Sequence, residues 1–232
     1  MTTLTFFKFE TFASKFWALS MMQRAIPQLK NERSHEFFKL LGTGSRSGFS
    51  VVPDWSTYAL LQTWPNERTA DEFFKSSSLI QSYKTRATCI STLYMRSAKS
   101  KGAWNGINPF ERKEVEVTPS DPVAVITRAT IAPRRMLDFW KHIPQSETGL
   151  VEEKGLLLKK GIGEYPVFQM ATFSCWKDES SMMDYAYRSE GHASVIKLAK
   201  QRGWFSEDLF ARFVPFRCEG QWEGRRGILD LS

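Results

Sequence analysis

Apolar side chains recur along this chain with two periods, one of two residues and one near 3.6, and segments of the two kinds alternate. Leu4–Phe9 is apolar and aromatic-rich and predicts a strand. Between Ala13 and Lys30 the apolar residues Phe16, Trp17, Leu19, Met21 and Ala25 fall close to helical spacing. Phe37–Leu41 and Tyr58–Thr63 predict strands, separated by the turn-rich loop GTGSRSGFSVVPDW. Thr69–Ala87 predicts a helix, with Thr69 as its N-cap and Glu72 three residues on, the pattern of a capping box. Cys89–Met95 is the next strand. The second half reads alike: strand Val123–Ile131, helix Arg134–His142, strands Leu156–Lys160 and Val167–Trp176, a helix over Glu179–Gln201 broken near Gly191, and strand Phe210–Phe216.

Each half therefore has the order β-α-β-β-α-β, the split βαβ or ferredoxin-like arrangement. Landmarks recur in the same order. Phe16-Trp17, Ile26-Pro27, Gly42-Thr43-Gly44 and Trp64 with Asn66-Glu67 are echoed by Phe139-Trp140, Ile143-Pro144, Gly161-Ile162-Gly163 and Trp176 with Asp178-Glu179. The pattern points to a duplication, with residues 1–100 as an N-terminal repeat, 101–121 as a linker and 122–232 as a C-terminal repeat. Two such sheets each have helices on one face and must bury the other. Pairing them gives an α+β barrel of the dimeric type, closed within one chain or across a homodimer. The region Ser97–Pro122 is rich in turn residues, yet Trp104 and Phe110 mark a segment that packs back on the body.

Composition narrows the function classes. Aromatics make up 14% and charged residues 25% of the 232 residues, which is ordinary globular chemistry and excludes a disordered chain. The three cysteines, Cys89, Cys175 and Cys218, are far apart with no CxxC pair, which argues against a thiolate cluster and suits a reducing compartment. The net charge is +7 and the isoelectric point about 9.3. The basic residues are spread along the chain, so a nucleic-acid footprint is not expected. No apolar run reaches about 18 residues, the length that spans a bilayer. The start MTTLTFFKFE has no secretory pattern. The expected location is cytoplasmic, or peripheral to the inner face of a membrane.

Histidine is scarce. HExxH, GxSxG and P-loop motifs are absent, and GTGSRSG lacks the Lys-Ser/Thr ending of a phosphate cradle. His35, in KNERSHE, reads as solvated, and His142 as a structural residue at a helix C-terminus. His192 lies in YRSEGHASVIKLAKQRGWF, with Tyr185, Val195 and Ala199 at helical spacing and Gly191 beside it. Two readings stay open for it: a core histidine with satisfied hydrogen bonds, or an axial ligand of haem iron.

Four stretches carry a resemblance: KLLGTGSRSGFSVVPDWSTYALLQTW, GAWNGINPF, VAVITRATIAPRRMLDFWKHIP and YRSEGHASVIKLAKQRGWFSEDLFARF. Together they resemble the spheroidene monooxygenase family. The resemblance implies a haem protein of the dimeric α+β barrel type. It implies use of molecular oxygen and electrons from a donor such as ferredoxin. It further implies that two hydroxylations at a terminal carbon of an acyclic carotenoid give a gem-diol that loses water to a ketone. It makes His192 the axial ligand, puts Tyr185 on the cofactor-binding stripe, and makes Arg128 the candidate catalytic or cofactor-binding polar group, against the alternative of a buried ion pair. Trp104 and Phe110 either border the polyene's path or pack the core. The competing readings are a non-catalytic haem-binding barrel, a cofactor-free monooxygenase, and an interaction protein.

Overall fold

Alternation along the strands sorts their side chains into a barrel interior and an outer face. The computed structural model describes residues 1–44, 52–142, 154–165, 168–188, 198–199 and 201–229. Its eight strands are β1 (Thr2–Lys8), β2 (Phe37–Gly44), β3 (Pro53–Thr63), β4 (Cys89–Gly102), β5 (Val123–Ile131), β6 (Leu156–Tyr165), β7 (Gln169–Trp176) and β8 (Phe205–Gln221). They form one closed barrel in the order β1-β3-β2-β6-β7-β5-β8-β4. The paired strands are antiparallel. Closure within a single chain gives every strand a partner on both sides.

The strands of each half share one pattern. Along the barrel, β4-β1-β3-β2 is followed across one seam by β6-β7-β5-β8. Each half places its first strand between its third and fourth. The seams differ: β4 and β8 pair from Ile90↔Gln221 to Gly102↔Leu209, whereas among the described residues β2 and β6 meet only at Gly42↔Gly163 and Thr43↔Ile162. At Gly163 an added Cβ would lie 2.8 Å from the Gln169 carbonyl oxygen, so the register shift at this end of β6 leaves no room for a side chain there.

The helices lie outside. α1 (Phe12–Arg24) and α2 (Ile26–Asn31) join β1 to β2, and α3 (Glu67–Ser76) and α4 (Ser78–Lys84) join β3 to β4. In the second half a short 3-10 turn (Pro133–Arg135) leads into α5 (Met136–His142), and α6 (Glu179–Arg188) follows β7. Sequence periodicity predicted one helix over 13–30. The chain instead breaks after Arg24 and restarts with Pro27 in the first turn of α2, because proline cannot continue the preceding ladder. The predicted helix 69–87 also splits, at Ser77, whose side chain caps α4. The N-cap of α3 is Asn66 rather than Thr69. Its side-chain oxygen accepts hydrogen bonds from the backbone N–H and hydroxyl of Thr69, both at 3.0 Å. Glu72 pairs instead with Arg68 one turn away.

The barrel interior is filled. Leu4, Phe6, Leu61, Leu93, Ile126, Phe173, Ala211 and Phe213 are among its buried side chains. Trp104 and Phe110 join them from the segment after β4. Phe110 packs edge-on against Phe213 at 4.9 Å between ring centroids. Ser97–Gly102, expected in the connecting segment, is the last stretch of β4. A second cluster outside the first half packs α1 to α4 on Phe7, Tyr58, Leu60 and Tyr94.

Candidate functional site

The outer face of the second half is covered differently from the first. Two separate apolar clusters lie on it. One holds Ile131, Phe139, Met170, Ala199 and Trp204; the other holds Val123, Val125, Trp176 and Met182. Between them a row of residues crosses the sheet in register: Gly161 on β6, Thr172 on β7, Thr127 on β5 and Phe210 on β8. Gly161 to Thr127 spans two strand spacings, about 10 Å of small side chains. Ala124 and Ile126 belong to the barrel interior, so Thr127 faces the helical layer, and it is exposed although β5 lies inside the sheet. In the first half Thr5 of β1 is 1% exposed, and its hydroxyl meets that of Thr92 at 3.0 Å. Among the described residues the first helical layer buries its row, and the second leaves Thr127 exposed in a trough whose Gly161 is buried and whose Thr172 and Phe210 are half-buried.

Aromatic and cationic side chains border the trough. Tyr185 of α6 packs over Trp176, with ring centroids 4.9 Å apart, and its hydroxyl accepts a hydrogen bond from Lys159 Nζ at 3.1 Å. Arg212 of β8 ion-pairs with Glu179 at the start of α6 and points a guanidinium nitrogen at the Met183 sulfur, 3.8 Å away. At the other end Phe139 stands edge-on to Trp204 at 5.5 Å and to Trp140 at 5.3 Å. The Asp138 carboxylate accepts from Trp204 Nε1 at 2.7 Å and from Arg202 at 2.6 Å. The chain leaves α6 at Arg188 beside one cluster, and Leu198 and Ala199 pack in the other. His192, which follows Arg188 and precedes Leu198 in the sequence, lies outside the described residues.

Arg128 points the other way, into the barrel mouth. Its side chain is 1% exposed and ion-pairs with Glu207 of β8. Asn105 Oδ1 lies 3.4 Å from the second guanidinium nitrogen, the Trp104 ring lies 5.5 Å from the guanidinium carbon, and Nε has no hydrogen-bond partner. Glu207 also accepts from the backbone N–H groups of Asn105 at 3.0 Å and Gly106 at 2.7 Å. Burial opposes the Glu207 carboxylate, but the Gly106 and Asn105 amides and Arg128 outweigh it, and its pKa lies below the ordinary value. Both turn residues have positive φ, 56° at Asn105 and 81° at Gly106, which aims their amides at one carboxylate. Glu164 of β6 completes the mouth, accepting from Trp104 Nε1 and from Lys39 Nζ, both at 2.6 Å.

The structure thus does not bring Arg128 and Tyr185 together, because they occupy opposite faces of one sheet. Sequence reasoning missed Lys39, Glu164 and Glu207. Their signal was a charge in the inward phase of a strand, two residues from Leu41, Ile162 and Leu209, all buried in the barrel. His35 is not the solvated residue expected. It is half-buried, bonded to Gln62 Nε2 at 3.1 Å, and ringed by Phe38, Trp64 and Phe73. Burial holds its pKa below the ordinary imidazole value despite the nearby Glu32. The side chain of His142 lies outside the described residues. Cys89, Cys175 and Cys218 are free thiols, and burial pushes Cys175 up to about 12. Among the described residues no three His, Cys, Asp or Glu side chains gather as a metal site, and no helix is long and apolar enough to cross a membrane.

These features define an α+β barrel protein, closed within one chain, whose second half leaves Thr127 exposed between two apolar clusters among the described residues. No family model matches the chain. Among known proteins it is similar to the spheroidene monooxygenase of Rhodobacter capsulatus, 32% identical over 226 residues, 97% of this chain and 94% of the relative. It is 34% identical over 215 residues to the spheroidene monooxygenase of Rubrivivax gelatinosus, 92% of this chain and 82% of that one. A solved structure of an aldoxime dehydratase in complex with butyraldoxime shares the fold. Its TM-score is 0.61 at 10% identity, covering 93% of this chain and 79% of that chain. The chain belongs to the spheroidene monooxygenase family and is an oxidoreductase of the monooxygenase class.

Proposed function

We propose that this protein is a haem-dependent monooxygenase that places a keto group on a terminal carbon of an acyclic carotenoid of the spheroidene type. The observation that carries the reading is the exposed Thr127 between two apolar clusters, in a chain whose relatives bear that enzyme's name. A flat, largely apolar macrocycle with carboxylate arms fits such a trough. The row beneath Thr127 is made of small side chains, aromatics stand at both ends, and Lys159 lies beside Tyr185 on one side. In this reading His192 would hold the haem iron and Tyr185 would lie beside the cofactor. Haem, when bound, supplies the activation of molecular oxygen that side-chain acid–base chemistry lacks.

The protein's own share is binding, orientation and exclusion of water. The apolar clusters beside Thr127 hold the polyene end by burial rather than by hydrogen bonds. Two hydroxylations of the same carbon give a gem-diol, which loses water to the ketone without further help from the protein. Electrons come from a donor such as ferredoxin. Arg128 acts at a distance as a positioning residue. Its pairing with Glu207 ties β5 and β8 to the Asn105–Gly106 turn and fixes the strand that carries Thr127. The shared strand pattern of the two halves supports reading them as tandem ferredoxin-like repeats. The test is to express the chain in cells that make acyclic carotenoids. A ketocarotenoid in the extract, absent with empty vector, is the expected result, and unchanged carotenoids would overturn the reading.

A further inference from the structure

Helix α1 is apolar on two opposite faces. Ala18, Met21 and Ala25 at its C-cap are buried against the sheet. Phe12, Phe16 and Leu19 are 87%, 66% and 42% exposed. At about 100° per residue these three fall within roughly 60° of one another, on the side facing away from the body. Neither packing nor solubility of a monomer calls for such a row, and rows of this kind mark contact surfaces.

The charge around it selects the partner. α1, α2 and α4 contain no Asp or Glu, and they carry Lys15, Arg24, Lys30 and Lys84. Arg86, just after α4, lies over the Trp17 ring at 4.6 Å, and Trp17 meets Tyr83 of α4 at 5.0 Å, so α1 and α4 form one basic surface. The nearest carboxylates along the chain, Glu10 and Glu32, sit beyond the two ends of the α1–α2 pair. On α3, Glu67 and Asp71 are engaged by Arg217, and Glu72 by Arg68. A stripe of Phe and Leu rimmed by Lys and Arg is the chemistry of a helix lying in an anionic lipid interface. Three side chains are too little surface for a stable dimer, which takes about 800 Å² from each partner.

We infer that α1 docks the protein on an anionic bilayer surface, with Phe12, Phe16 and Leu19 inserted among the acyl chains. This rests on the proposed function in one respect: a long polyene resides in the bilayer, and docking brings the enzyme to it. The experiment is co-sedimentation of the full chain with vesicles of phosphatidylglycerol and phosphatidylcholine, or of phosphatidylcholine alone. It is run on the wild type and on the Phe12→Ser, Phe16→Ser double variant, with thermal melts as the folding control. Binding to the anionic vesicles at least tenfold above the neutral ones, and lost at least tenfold in the double variant at an unchanged Tm, is expected. Equal binding to both vesicles, no binding, or full binding by the double variant overturns the inference. So does a wild-type dimer in sedimentation velocity that the double variant dissolves, since a second copy would then own the stripe. Turnover of a detergent-dispersed carotenoid separates the two proposals. Vesicle binding without turnover keeps the docking surface and removes the enzymatic reading.

Discussion

Thr127 and Arg128 are neighbours on β5 and face opposite ways. Thr127 lies exposed beneath the second helical layer, and Arg128 is buried in the barrel mouth against Glu207. One strand thus carries both the floor of the trough and the main ionic tie of the barrel end. The division separates what substitutions on β5 do.

Thr127→Trp fills the floor without touching the barrel interior. Stability should change little, because the site is exposed. Uptake of a flat ligand should fall at least tenfold. Haem titration alongside a thermal melt reads both quantities, and a large loss of Tm would show that Thr127 is packed after all.

Glu207→Gln leaves the Arg128 guanidinium buried without its counter-charge. Removing one partner of a buried pair costs about 3–5 kcal/mol. The Arg128→Met, Glu207→Gln double variant should recover part of that loss, and urea denaturation of the single and double variants measures the coupling.

The Glu207 pKa also fixes a sign for pH dependence. Its folded value is depressed, so its contribution is complete above the unfolded value and disappears as pH falls through the lower folded one. Stability should fall below about pH 4.5, the ordinary glutamate range. Glu207→Gln should flatten that part of the curve, as followed by denaturant midpoints between acidic and neutral pH.

His35 gives a second window. Burial lowers its folded pKa, so folding favours the neutral ring. Stability is then complete above the unfolded value of about 6.5 and declines as pH drops through the folded value. His35→Gln should remove this decline while keeping a polar partner for Gln62. NMR titration of the His35 ring locates the midpoint.

Trp104 joins the turn after β4 to the mouth through Glu164 and fills the interior beside Phe37, at 5.9 Å between ring centroids. Trp104→Ala should cost about 3–5 kcal/mol as a large buried truncation. Trp104→Phe keeps most of the volume and drops only the Nε1 bond, costing about 1–2 kcal/mol. Equal losses would mean that the hydrogen bond, not the packing, holds the turn.

Strand periodicity was legible where one face is buried throughout. β5 runs over Val123–Ile131, as its pattern predicts. It was illegible where bulges shift the phase. β4 changes register at Tyr94/Met95 and Ser97/Lys99, so its last residues looked like linker. Helix breaks at Pro27 and Ser77 were hidden because apolar spacing continues through them. The barrel-mouth charges were invisible for a different reason. Lys39, Glu164 and Glu207 are far apart in sequence, and only closure of the strands makes them neighbours. The trough was beyond reach for the same reason, since Gly161, Thr172 and Thr127 become a row only when β6, β7 and β5 align.

The absorption spectrum during haem titration tests the central claim most directly, on wild type, His192→Ala and Thr127→Trp. A Soret band that forms with the wild type, shifts or vanishes in His192→Ala and needs at least tenfold more haem in Thr127→Trp is the predicted result. A wild type that forms no Soret band, or a His192→Ala spectrum identical to wild type, would contradict it.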